Sequence, residues 1–143
     1  MKRHIPGLHS RPAEERPLEG LFLVRVEGAS YHWHPQKPYF SIRFVVIEPE
    51  PVASRSFSAR LYCIEKALWR LHWFLRDFGY DQELLSEDQV DEKALVNLRG
   101  VLRTTHVIRS GKTFQNLEAF APEAAWEELS CAAARAGRSS DGL

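Results

Sequence analysis

Apolar and polar residues alternate from Gly20 to Trp33. Phe22, Val24 and Val26 fall on one side and Leu23, Arg25 and Glu27 on the other, which is the period of a β-strand. Gly28 suits a bulge or sharp bend in a long, coiled first strand. His34-Pro35-Gln36-Lys37-Pro38 reads as a turn into a second strand, with Phe40, Ile42, Phe44 and Val46 on one face and Tyr39, Ser41 and Arg43 on the other. Glu48-Pro49-Glu50-Pro51 stops that strand, because proline has no amide to give to a ladder. A third strand follows from about Ser54 to Tyr62, where Phe57, Ala59 and Leu61 alternate with Ser56, Ser58, Arg60 and Tyr62.

The period then lengthens to about 3.6 residues. Ile64, Ala67, Leu68, Leu71, Leu75 and Phe78 make a helical stripe that Gly79 ends. Residues 81–98 read as further short helix, with Asp91 as a cap. Strand periodicity returns over Val101–Arg109 and Lys112–Phe120, joined by a Ser110-Gly111 hairpin turn. Both registers of this last pair mix apolar and polar residues, so its facing stays open. Pro122 starts a terminal helix through Ala134, and Gly137–Leu143 reads as a disordered tail.

Three strands, a helical block, two strands and a terminal helix is the element order of an OB-type barrel. A split α+β sheet is the competing architecture. The expected fold is thus mainly β: a five-stranded antiparallel OB-type barrel, with a helical insertion between strands three and four and a C-terminal helix. Residues 1–19, which contain Pro6, Pro12 and Pro17, form a flexible leader. Residues 20–122 form the domain, with its insertion at about 64–98, and 123–143 form the helix and tail. Phe22, Val24, Val26, Phe40, Ile42, Phe44, Phe57 and Leu61 are expected in one core. Trp69, Trp73 and Phe74 are expected to pack the insertion against it.

Composition changes this picture little. The chain has 143 residues, 44% of them hydrophobic, and a formal net charge of zero. That size and apolar content fit one globular domain. Cys63 and Cys131 show neither disulfide-framework nor zinc-ribbon spacing. The N-terminal charges lack the apolar run of a signal peptide, and no segment approaches the length of a membrane span. A cytoplasmic protein with no membrane partner is expected.

Charge distribution matters more. The strands and last hairpin are basic, through Arg25, Arg43, Arg60, Arg103, Arg109 and Lys112 among others. Against them, Asp81, Glu83, Glu87, Asp88, Asp91 and Glu92 meet only Lys93 in the second helical stretch. This suits a polyanion lying across the sheet and away from the insertion; charges that merely solvate each surface are the competing explanation. Bases of a single strand stack on flat side chains set beside cations that track phosphates. Tyr39 shares a face with Arg43, and Tyr62 with Arg60. Trp33 and Lys37 lie at the first turn, and Phe114 follows Lys112 in the last hairpin with Arg103 and Arg109 nearby. In an OB barrel these places form the ligand cleft. Core packing is the alternative role for the aromatics.

Catalytic and metal motifs are incomplete. Gly111-Lys112-Thr113 resembles the end of a phosphate-binding loop, but His106 stands where the first glycine belongs. His32 and His34 share a strand face without a third ligand. No nucleophile elbow is present. Neither enzymatic activity, nor a metal, nor a cofactor is expected.

The runs Leu18-Glu19-Gly20-Leu21-Phe22-Leu23-Val24-Arg25-Val26, Lys37–Val46, Leu98-Arg99-Gly100-Val101 and Phe114-Gln115-Asn116-Leu117 resemble strands one, two, four and five of phage-type single-stranded DNA-binding OB domains. The resemblance spans roughly Leu18 to Pro122. The insertion is longer and more aromatic than theirs, and the tail lacks an acidic tip. The resemblance implies binding of single-stranded DNA, with RNA the alternative polymer. It also implies an accessory role in replication or recombination of a phage or mobile element, with a homo-oligomer or a replication or recombination protein as partner. The alternatives are a protein-interaction or assembly module that uses the insertion, with the barrel as scaffold, and a small-ligand or oligosaccharide barrel.

Overall fold

The computed structural model describes residues 2–4 and 18–141, with 135–141 described by backbone alone. The expected leader therefore lies mostly outside the described residues. The strands are β1 (Gly20–His32), β2 (Tyr39–Glu48), β3 (Ser56–Tyr62), β4 (Arg99–Arg109) and β5 (Lys112–Pro122). Helices α1 (Leu68–Asp77), α2 (Gln82–Ser86) and α3 (Glu92–Leu95) lie between β3 and β4, and α4 (Trp126–Asp141) follows β5. The chain is thus mainly β, with its helices where the change of period places them. α4 runs past Ala134, through residues read from the sequence as the start of the tail.

All neighbouring strands are antiparallel, in the order β3-β2-β1-β4-β5. β1 is the shared strand. Gly20–Arg25 pair with β4, and beyond a bulge Gly28–His32 pair with β2 alone. The bulge falls between Val26 and Gly28 and leaves Glu27 as the extra residue. An inserted residue raises the local twist, which lets one strand serve two halves of a curled sheet. Further register shifts lie between Leu23 and Val24 in the β1–β2 pair and between Arg103 and Thr104 in the β4–β5 pair. Ser110 (φ 51°) and Gly111 (φ 76°) make the hairpin turn between β4 and β5, and left-handed backbone at both centres matches the twist of the flanking strands.

The ladders form the five strands of the expected antiparallel sheet but do not close it. β3 and β5 approach within 8 Å between Cα atoms, yet no hydrogen-bonded ladder joins them. The result is an open sheet curled until its edges face each other across a groove.

The inward face holds Phe22, Val24 and Val26 of β1, Phe40, Ile42, Phe44 and Val46 of β2, Ala59 and Leu61 of β3, Leu102 of β4, and Leu117 and Phe120 of β5. This settles the facing of the last pair. The expectation for Phe57 is corrected: it is only half-buried, stacked on Phe44 with ring centroids 5.4 Å apart. It stands near the edge of the sheet, on β3, where no further strand covers it.

Leu71, Phe74 and Leu75, with Phe78 at the C-cap, follow the i, i+3, i+4, i+7 spacing and give α1 and its end one apolar face. That face seals the core. Phe74 and Phe78 lie 6.0 and 6.1 Å from Phe44, and 5.6 and 6.1 Å from Phe120, between ring centroids. Gly79, at φ +81°, then turns the chain out of the helix. The buried Tyr80 secures the rest of the insertion: its hydroxyl donates to Gln89 O and accepts from Asp91 N–H. Asp81 and Asp91 cap α2 and α3 through their carboxylates.

Leu18, placed by sequence in the leader, belongs to the core. Its backbone N–H donates to Gln115 Oε1, and Gln115 Nε2 donates back to Leu18 O, both at 2.8 Å. Gln115 Nε2 also donates to the hydroxyl of Thr104, which is fully buried. On the outward side, Leu23 and its β4 partner Val101 are buried as well, and α4 contacts β1.

A Cβ added at Gly100 would stand 2.5 Å from Phe78 Cδ1, and that ring is wedged among Phe44, Phe74 and Phe120. Gly100→Ala should therefore cost about 1–3 kcal/mol through overpacking. Gly28→Ala, where nothing lies within 4 Å of the new methyl, should be near neutral. Urea melts of the two variants check this, and equal midpoints would show that α1 yields freely at Gly100.

Candidate functional site

Residues directly opposite across antiparallel strands share a face. The register Tyr39↔Tyr62, Ser41↔Arg60 and Arg43↔Ser58 therefore sets these side chains together on the outward face of β2 and β3, with His32 of β1 opposite Tyr39. The aromatics form a row. The His32 and Tyr39 rings stack at 4.9 Å and 11°, and Tyr39 meets Tyr62 at 5.5 Å and 54°. The Arg60 guanidinium lies 4.5 Å from the Tyr39 ring centre. Its hydrogen bond with Tyr62 is the main influence raising its pKa above the usual arginine value, against the opposing effect of partial burial. The cation is thus held among aromatic surfaces instead of by a carboxylate.

The row borders the groove between the two sheet edges. This groove, about 630 Å³, is lined on one wall by Ser58, Arg60 and Tyr62 of β3, and on the other by Arg109, Phe114 and Asn116 of the β4–β5 hairpin, with Arg70 of α1 alongside. Among the described residues, no acidic side chain lines it. A second concavity of about 510 Å³, at the end closed by Leu18, is lined by Phe22, Pro49 and Val52 with Glu19, Arg55 and His106. It gathers none of the nucleic-acid-binding candidates read from the sequence.

The groove brings Arg60, Tyr62, Arg109 and Phe114 together, with Tyr39 against Arg60. The remaining candidates lie elsewhere. Trp33 is 73% exposed in the turn beyond β1, next to the exposed Lys37. His34 Nδ1 organises that turn by accepting the backbone N–H groups of Gln36 and Lys37. Lys112 is exposed opposite Arg109 at the hairpin end but outside the groove lining. Arg103 is exposed on β4, opposite Leu21 and Ala119, and also lies outside the groove lining.

Arg43 sits on the expected face but is already engaged. Its Nε donates to Glu27 Oε2 at 2.8 Å, and Ser56 Oγ donates to the same oxygen at 3.2 Å. Glu27 reaches this place as the extra residue of the β1 bulge, since bulges re-aim side chains. The Arg43 hydrogen bond is the main reason the Glu27 carboxyl sits below its ordinary pKa, partly offset by desolvation and helped by Ser56.

Sequence reasoning missed His32 as part of the aromatic row and Arg70 as part of the groove. His32 could have been found from the turn length that sets it opposite Tyr39. Nothing local marks Arg70, because only the docking of α1 brings it to the sheet edge. The chain matches no protein-family model, and no curated protein matches it significantly.

The Glu27–Arg43 pair has a defined pH signature. A carboxyl whose folded pKa is depressed contributes stability that is present above its unfolded pKa and is lost as pH falls through the folded value. Carbon-detected NMR titration should find Glu27 below the ordinary carboxylate range, and back within it in Arg43→Ala. A Glu27 titration that Arg43→Ala leaves unmoved would show that the ion pair does not form in solution.

Proposed function

We propose that this protein binds single-stranded nucleic acid, DNA in the first place, across the outward face of β2 and β3 and along the groove between β3 and β5. The observation that carries this reading is the combination in one place of Tyr39, Tyr62 and Phe114 with Arg60 and Arg109, and no acid in the lining among the described residues. Flat rings take unpaired bases, and arginines without a carboxylate partner take phosphates, so a polyanion with exposed bases fits both sets at once. A sugar or neutral small ligand would leave the arginines unused. Duplex DNA offers phosphates but keeps its bases out of reach of the rings.

On this reading the curled sheet is an OB-type barrel whose β3–β5 seam stays open. The strand order, the helix between β3 and β4, and the approach of the two edges support that assignment. The role that accompanies it is accessory to replication or recombination, acting on transiently exposed single strands. Arg43 is a secondary contact, because a phosphate must compete with Glu27 for it.

Fluorescence titration with single-stranded and duplex oligonucleotides at two salt concentrations tests the reading. Single strands should bind more tightly than duplex. Tyr62→Ala should weaken binding by about 1–3 kcal/mol. Arg60→Ala should lower the slope of log affinity against log salt by about 0.7, one phosphate's worth. Glu27→Gln should tighten binding by freeing Arg43. Equal, weak binding of single and double strands, or a Tyr62→Ala/Arg60→Ala pair with unchanged affinity and salt slope, would overturn the proposal and leave the sheet as a scaffold.

A further inference from the structure

The aromatic and cationic surface does not end at the edge of the sheet. Trp69, at the start of α1, is 56% exposed, so the expectation that it packs the insertion against the sheet is corrected. Its neighbour Trp73 does the packing: that ring meets the core residue Phe120 edge-on at 5.6 Å, and its Nε1 donates to Asp77. Trp69 in turn lies against Trp73, with ring centroids 6.1 Å apart and planes at 30°. An exposed indole is therefore held by a neighbour that is itself anchored in the core. On its groove side, the Arg70 guanidinium carbon lies 5.2 Å from the Trp69 ring centre. Arg70 lines the groove, and its Nε is buried with no hydrogen-bond partner.

We infer that Trp69 and Arg70 extend the single-strand track from the β3–β5 groove onto the first turn of α1, so that the helical insertion is part of the binding surface. This rests on the single-strand reading above. Two independent features point the same way. A rigidly backed, half-open indole is a stacking platform that loses little freedom when a base lands on it. An arginine with an unmatched buried donor, lying between that indole and the groove, gains most from an oxyanion placed there. The path then runs from Tyr39 and Tyr62 past Arg60, along the groove, to Arg70 and Trp69. A strand long enough to cover the sheet face alone would leave the last two untouched.

The test separates this extension from the reading on which it rests. The full chain is titrated with oligothymidylates of about four and about twelve nucleotides, lengths that bracket the sites of such domains. For the wild type, affinity should rise with length beyond the statistical gain from extra registers. Trp69→Ala should leave the short oligomer unaffected and weaken the long one by about tenfold, one stacked base. Trp69→Phe should restore most of that loss. Arg70→Gln should reduce the salt slope for the long oligomer only. Tyr62→Ala should weaken both lengths. Trp69 is exposed, so unchanged thermal unfolding of Trp69→Ala confirms that the fold is intact.

Wild-type binding of both oligomers with Trp69→Ala and Arg70→Gln indistinguishable from it would overturn the extension alone. Failure of the wild type to bind either length would overturn the single-strand reading and the extension together. An acidic peptide that binds the groove and is not displaced by the long oligomer would also overturn it.

Discussion

The contact between the Phe78 ring and the backbone of Gly100 sets how deeply α1 enters the curled sheet. Only a residue without a side chain leaves room there, because the ring already meets Phe44, Phe74 and Phe120. Close-packed aromatic clusters do not deform continuously, so this seat defines one position for the helix. The rest of the insertion follows from it. Tyr80, just beyond Gly79, is buried and ties Gln89 and Asp91 into place, and Leu95 of α3 reaches the same core. The first turn of the helix, with Trp69 and Arg70, is thereby carried to the open edge of the sheet.

That edge is the second constraint. Unpaired strand edges invite other strands, and proteins commonly blunt them with charge, bulges or a covering element. Here β3 and β5 curl toward each other without forming a ladder. The space between them is walled by arginines and aromatic rings. A ladder between β3 and β5 would have closed the sheet and removed the groove. The open seam thus costs backbone hydrogen bonds and leaves a concave, cationic surface in exchange.

The neutral net charge hides a division of labour. Among the described residues, several acids have local structural tasks. Asp81 and Asp91 cap helices, Glu92 accepts the Tyr31 backbone N–H, Glu123 pairs with Arg99, and Glu27 holds Arg43. The arginines of the groove have no such partners in its lining. The cationic character of the groove comes from where the acids are engaged, more than from any excess of base over acid.

The order of strands and helices could be read from the chain itself, because burial on one face imposes a period of two on β1, β2 and β3 and a period near 3.6 on α1. The bulge at Gly28, the hairpin at Ser110-Gly111 and the cap at Asp91 were equally legible, since each rests on the conformational or hydrogen-bonding character of one or two residues. The facing of β4 and β5 was not, because Thr104 and Gln115 are polar residues turned inward to hold Leu18 and each other. Tyr39, Arg60 and Tyr62 were legible as neighbours because local alternation and strand pairing decide their face. Arg43 was visible on that face, but its capture by Glu27 depends on a bulge re-aiming a side chain sixteen residues away. The open seam, the groove across it and the arrival of Arg70 from a separate helix came only with tertiary structure. Each depends on distances between segments far apart in sequence, set by how tightly a sheet curls and how deeply a helix docks, and no local pattern of residues encodes those lengths.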